Sequence, residues 1–234
     1  MWNILLAILL FPLLLVEALI VKKQTPRLAE APGKRKGKCD QLDQPALKLL
    51  FLGDSAAAGV GASNQSRALS GQTLLYLQQQ FNIHWVLWAK SGADSRQTLA
   101  MLSKKEPQAF DCIVISLGVN DVISFTSKKQ WLHTTQRLIS LLGKQFAAQQ
   151  IIFTAIPPLH HFPALPQPLR FILGNRARQF NQALDCLCQQ QQQCQLLKVS
   201  FGKDRSFFAE DGFHPGEKGY AVWGQQLAGL IKKG

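Results

Sequence analysis

No Cys-x-x-Cys pair occurs in the 234-residue chain, and its five cysteines (Cys39, Cys112, Cys186, Cys188 and Cys194) are odd in number. That pattern signals neither a disulfide framework nor a structural metal. Cys112 falls in an apolar run and reads as core. Cys186, Cys188 and Cys194 bracket the tract Gln189–Gln193 and read as a helix with a polar tail rather than as metal ligands. Carboxylates are scarce too: 14 Asp and Glu stand against 26 Lys and Arg, a formal charge of +12. Such an excess suggests nucleic acid, but no basic motif interleaved with aromatics accompanies it, which argues against that partner. Half of the excess lies in residues 22–38, where seven basic residues face Glu30 alone for a net charge of +6. A hydrophobic content of 47% excludes a disordered chain and is enough for one sizeable core. There is no internal repeat.

No Lys or Arg precedes the apolar run Ile4–Val21, so the basic start of a cleaved signal peptide is missing. At about 18 residues the run just suffices to cross a hydrocarbon core, with Glu17 near one end. The expected organisation is a transmembrane or anchor helix over residues 1–21, a loose basic linker over 22–44 and a globular domain over 45–234. Basic residues after the span would meet anionic membrane lipid at about 1 kcal/mol each. The positive-inside rule then places the domain in the cytoplasm, a periplasmic or secreted location being the alternative.

Within the domain, short apolar runs alternate with helical stretches: Leu47–Leu52, Trp85–Ala89, Cys112–Leu117, Ile151–Ile156 and Leu196–Val199. Runs of this length suit strands buried on both faces, and the helices between them supply the crossovers of a parallel sheet. Trp131, Thr135, Leu138, Ile139, Leu142 and Phe146 follow the 3.6-residue period, as do Tyr220, Trp223, Leu227, Leu230 and Ile231. The fold class expected is a three-layer α/β/α sandwich around a five-stranded parallel sheet.

Three turns follow the first three strands: Gly53-Asp54-Ser55, Ser91-Gly92-Ala93 and Gly118-Val119-Asn120-Asp121. Parallel strands end at one edge, so Ser55, Gly92 and Asn120 can converge there although far apart in sequence. A serine hydroxyl becomes a nucleophile when a neighbouring base takes its proton. His214 in Asp211-Gly212-Phe213-His214-Pro215 is the expected base, with Asp211 close enough to accept its Nδ1 proton. Pro215 is expected to start the last helix. The N–H groups of Ser55 and Gly92 and the Asn120 amide are candidate donors to an oxyanion. His160 and His161, in the Pro-rich stretch from Pro157 to Pro168, lack a carboxylate at short spacing and read as pocket lining or surface. Phe162 and Leu165 of that stretch are candidate substrate contacts. His84 and His133 read as ordinary polar positions.

With these residues in place, the chain resembles the SGNH (GDSL-like) hydrolases. The first block of that family looks like Leu52-Gly53-Asp54-Ser55, its glycine block like Ser91-Gly92, its third like Gly118 to Asp121 and its last like Asp211 to His214, spanning about residues 46–232 in order. The longer run from Gly53 to Gly61 is similar to bacterial arylesterases and lysophospholipases. The resemblance implies a flavodoxin-like fold and hydrolysis of a small-molecule or lipid ester or thioester, with Asp54 structural and no metal or organic cofactor. No G-x-S-x-G is present, so the α/β-hydrolase elbow is not the alternative. The alternatives are an acyltransferase using the same serine and a silent lipid-binding membrane module.

Overall fold

The computed structural model describes residues 11–40, 43–199 and 204–231. The elements in chain order are α1 (Phe11–Gln24), β1 (Lys36–Cys39), β2 (Ala46–Gly53), α2 (Leu69–Leu77), β3 (Asn82–Ala89), α3 (Ser95–Leu102), β4 (Cys112–Ser116), α4 (Val119–Ile123), α5 (Lys128–Phe146), β5 (Gln150–Thr154), α6 (Leu169–Gln189), β6 (Cys194–Leu197) and α7 (Glu217–Ala228). Their sheet runs in the order β1-β3-β2-β4-β5-β6. The five strands from β2 to β6 are parallel and each overlaps one of the five expected apolar runs, β6 by only Leu196 and Leu197.

The two sheet faces carry separate apolar layers. Leu50, Leu52, Ile113, Ile115, Ile151 and Phe153 point to one side and meet α5 and α6. Leu49, Phe51, Val114 and Ile152 point to the other and meet α2 and α7. Alternation along each strand, with apolar residues at both parities, is what a sheet covered on both faces requires. The two stripes read from the sequence are those buried: Trp131, Leu138, Leu142 and Phe146 on α5, and Tyr220, Trp223 and Leu227 on α7.

Two features depart from the expected organisation. Residues 22–44 do not run loose. Lys36–Cys39 form β1, an antiparallel edge strand paired with β3 from Lys36 opposite Val86 to Cys39 opposite Ile83, so the sheet is mixed and six-stranded. Just before it, Ala31 is buried, and its carbonyl accepts a hydrogen bond from Gln65 Nε2 at 3.0 Å.

The membrane span expected over Ile4–Val21 is likewise not supported. Its first residues, 4–10, lie outside the described residues. The described remainder, in α1, packs on the domain: Leu14 joins the core, and the Glu17 carboxylate accepts the Leu169 N–H at 3.0 Å. That N–H is one of the orphan donors at the start of α6, where a negative charge contributes about 0.3–1 kcal/mol. Glu17 interrupts the apolar run because it caps another helix. Among the described residues no helix is long and apolar enough to cross a membrane.

Candidate active site

The edge where the parallel strands end gathers the sequence-predicted residues. Gly53 closes β2, and the turn after it is built by Asp54. The Asp54 N–H donates to the Ser116 carbonyl at 3.1 Å, its Oδ1 accepts from Ala56 N at 3.1 Å, and its carbonyl accepts from Ala58 N at 2.9 Å. Ser55 is thereby lifted to the head of a tight turn, half-buried. Only glycine fits at position 53: a β-carbon there would run into the Ser116 carbonyl and lie 2.6 Å from Ala57 Cβ.

The turn before α7 supplies the partner. His214 Nε2 lies 2.9 Å from Ser55 Oγ, and Nδ1 lies 2.6 Å from Asp211 Oδ2. The other Asp211 oxygen accepts the N–H groups of Phe213 and His214, each at 2.9 Å, which folds the four residues into a closed turn. Ala209 N donates to the His214 carbonyl, and Phe208 bridges to Pro215. Pro215 therefore serves this bridge, and α7 starts at Glu217 with Gly216 as its cap. The Asp211 side chain is fully enclosed and that of His214 is 19% exposed. Burial works to raise the Asp211 carboxyl, but hydrogen bonds from the His214 ring and the two backbone donors prevail and hold it below the usual carboxylate range.

Asp54, beneath Ser55, behaves differently. Burial pushes it up to about 7, only partly offset by the Ala56 N–H and by the nearby His214. The Asp54 and Asp211 carboxyls are thus shifted in opposite directions by their surroundings.

Gly92 and Asn120 flank this centre. Gly92 is exposed at φ +77°, a left-handed conformation, with open space where a side chain would stand. Its N–H, like that of Ser55, donates to no group among the described residues. Asn120 Nδ2 donates to the Ala93 carbonyl at 2.9 Å and leans on Asp54 Oδ2 at 3.4 Å, so its amide holds the glycine turn. Asp121, given no role by the sequence, accepts from Ser95 N at 3.1 Å and Ser95 Oγ at 2.9 Å and fixes the start of α3 behind the same turn.

A cleft leads from Ser55 and His214 under the sheet edge. Leu117, Ile156, Phe162, Phe208, Phe213 and Trp223 are among its apolar walls. Phe162 lines the cleft, with its ring edge-on to Phe208 and Phe213 at 5.3 and 5.2 Å. Leu165 is 2% exposed in the core and does not line the cleft. His161 borders the cleft, while His160 packs against Gly174; His84 and His133 are exposed. Phe207, Phe208, Val199 and Trp223 complete the walls. Nothing in the motifs signalled these four, which come from the chain after β6, the turn before His214 and the α7 helix.

A hydroxyl hydrogen-bonded to an imidazole, itself oriented by a buried carboxylate, is an arrangement that can pass a proton from oxygen to nitrogen and attack an acyl carbon. Solved structures share the fold: a lipase from a goat rumen metagenome (TM-score 0.65, 18% identity, 81% of this chain and 100% of that one), the psychrotrophic esterase EstA from Pseudoalteromonas sp. (0.61, 19%, 80% and 97%) and the acetylxylan esterase Axe2 from Geobacillus stearothermophilus (0.56, 17%, 81% and 96%). No curated protein matches the chain. The model of the GDSL-like lipase/acylhydrolase family matches residues 51–222, which takes in the Ser55 turn, the Gly92 turn, the Asn120 turn and the Asp211–His214 turn. The chain belongs to the GDSL-like lipase/acylhydrolase family, whose members are hydrolases of ester bonds.

Proposed function

We propose that this protein is a serine esterase that hydrolyses carboxylic esters or thioesters with an apolar acyl group, through an acyl-enzyme on Ser55. The observation that carries the reading is the chain of contacts from Asp211 through His214 to Ser55, opening directly onto an apolar cleft. His214 Nε2 takes the hydroxyl proton as Ser55 Oγ bonds to the acyl carbon. Charge gathers on the acyl oxygen, and the idle N–H groups of Ser55 and Gly92 are the donors for it. Asn120 contributes the amide hydrogen that leans on Asp54, a contact at 3.4 Å long enough to be exchanged for one to an oxyanion. As the intermediate collapses, the bond to the alcohol or thiol breaks and His214 returns the proton to that leaving group. Water, deprotonated by the same imidazole, then releases the acid and restores the hydroxyl.

Asp211, held ionised, orients the ring and stabilises the imidazolium. The apolar walls accept the acyl chain and keep bulk water from the reacting bond. Steady-state hydrolysis of p-nitrophenyl esters of increasing acyl length tests this. The wild type should turn over and Ser55→Ala should not; equal rates for the two would end the proposal. Added alcohols should leave the free acid as the main product, and a dominant transferred ester would indicate a transferase.

A further inference from the structure

We propose that Glu30, upstream of the family's matched region, is a positioning residue that holds the Ser91–Gly92 turn in register with Ser55. The inference rests on the serine esterase reading above. Its Oε1 accepts the Ser91 N–H at 2.7 Å. Its Oε2 accepts from Arg35 Nη1 at 3.1 Å, and Arg35 Nη2 donates to the Ala89 carbonyl at 2.8 Å. Glu30 and Arg35 thus close a loop of contacts around the end of β3, the strand that delivers the turn.

The backbone carrying Glu30 is itself pinned to the domain. The Ala31 and Pro32 carbonyls accept from Gln65 Nε2 and Gln65 N at 3.0 and 2.8 Å, and the Arg35 carbonyl accepts from Leu87 N at 2.7 Å. Burial works against the Glu30 charge, but the Ser91 hydrogen bond and Arg35 outweigh it and keep the carboxyl below its usual range.

What the latch leaves over is the reason to assign it a role in the chemistry. In the turn, Lys90 N donates to the Gly53 carbonyl, Ser91 N to Glu30 and Ala93 N to the Lys90 carbonyl. Gly92 N alone of these four donates to nothing among the described residues. The turn is exposed, and glycine at φ +77° with open space around it lets the adjoining peptide rotate at little cost. A bond to the neighbouring Ser91 N–H removes that freedom and aims the one unused donor. A donor to a developing oxyanion is worth its full effect only when fixed beforehand. Disorder in the turn therefore weakens the transition state more than substrate binding.

The test uses the full chain and a p-nitrophenyl ester. Glu30→Ala should lower kcat about tenfold, part of the 10²–10³ lost with a whole oxyanion donor, and leave KM within about twofold. Glu30→Gln still offers an amide oxygen to Ser91 and should keep at least about half of the wild-type kcat. Glu30→Asp keeps the charge but withdraws the oxygen by one methylene, and should repeat the loss even where the alanine variant fails to fold. Wild-type kcat in Glu30→Ala or Glu30→Asp, a loss confined to KM, or equal impairment of Glu30→Gln would each overturn the assignment. Ser55→Ala run alongside separates the two readings: activity there sinks the serine mechanism, whereas an inactive Ser55→Ala beside an unimpaired Glu30→Ala sinks only the latch.

Discussion

Replacing Asp211 by asparagine should cost about four orders of magnitude in kcat while leaving the fold in place. The side chain is enclosed, with one oxygen 2.6 Å from His214 Nδ1 and the other taking two backbone N–H groups at 2.9 Å. An amide must place its oxygen toward those two donors, because turning its NH2 there would set it against both of them in a closed space. The NH2 then faces Nδ1. The ring has to offer a lone pair at that nitrogen and carry its proton on Nε2, directed at Ser55 Oγ. In that tautomer the imidazole cannot accept the hydroxyl proton, and the known loss for such a change in a serine-histidine-aspartate triad is about 10⁴, close to 5.5 kcal/mol of barrier. The stability loss is smaller, about 1–3 kcal/mol, since the hydrogen bonds survive without their charge. Steady-state kcat on a p-nitrophenyl ester, with circular dichroism as the check on folding, measures both. A folded Asp211→Asn within tenfold of the wild type would refute the role given to Asp211.

Other expectations follow from the same geometry. Asn120→Ala should reduce kcat by about 10²–10³, and an unchanged kcat would remove Asn120 from the oxyanion donors. Asp54, pushed up to about 7 by burial, keeps in the native state a proton that the unfolded chain has released above about pH 4. Stability should therefore fall as pH rises from about 4 to about 7, by on the order of 4 kcal/mol in all. Asp54→Asn should flatten the thermal midpoint across that window, and an unaltered slope would contradict it. Gly53→Ala should force β2 and β4 apart and lower stability by about 1–3 kcal/mol, read as a fall in the urea midpoint; an unchanged midpoint would contradict the close approach described.

The parallel core was legible because its strands are continuous apolar runs, Cys112–Ser116 above all, and because the polar turns after β2, β3 and β4 mark one edge. The Ser55, His214 and Asp211 positions were legible for a related reason: each stands in a short block whose order along the chain matches a topology that brings them together. The edge strand β1 was not. Lys-Gly-Lys-Cys has no apolar alternation, and it becomes a strand only because β3 offers an unpaired edge to it. Glu17 was read only as an acid near the end of a membrane span, because a helix cap supplied by a distant segment leaves no local trace. Leu165 and Phe162 stand three residues apart and are both buried apolar side chains, yet only Phe162 also lines the cleft. Only the path of the Pro-rich loop decides between them. Glu30 lay hidden for the same reason as β1: a lone acid among basic residues says nothing of the N–H it will meet 61 positions later.

The claim on which the rest depends is that Ser55 Oγ carries the acyl group. Incubation with a p-nitrophenyl alkylphosphonate, followed by peptide mass analysis at intervals, addresses it directly. The account predicts one alkylphosphonyl group per chain, on the peptide containing Ser55, with esterase activity lost in step with labelling. Inactivation with the label on another residue, or full activity with Ser55 labelled, would contradict it.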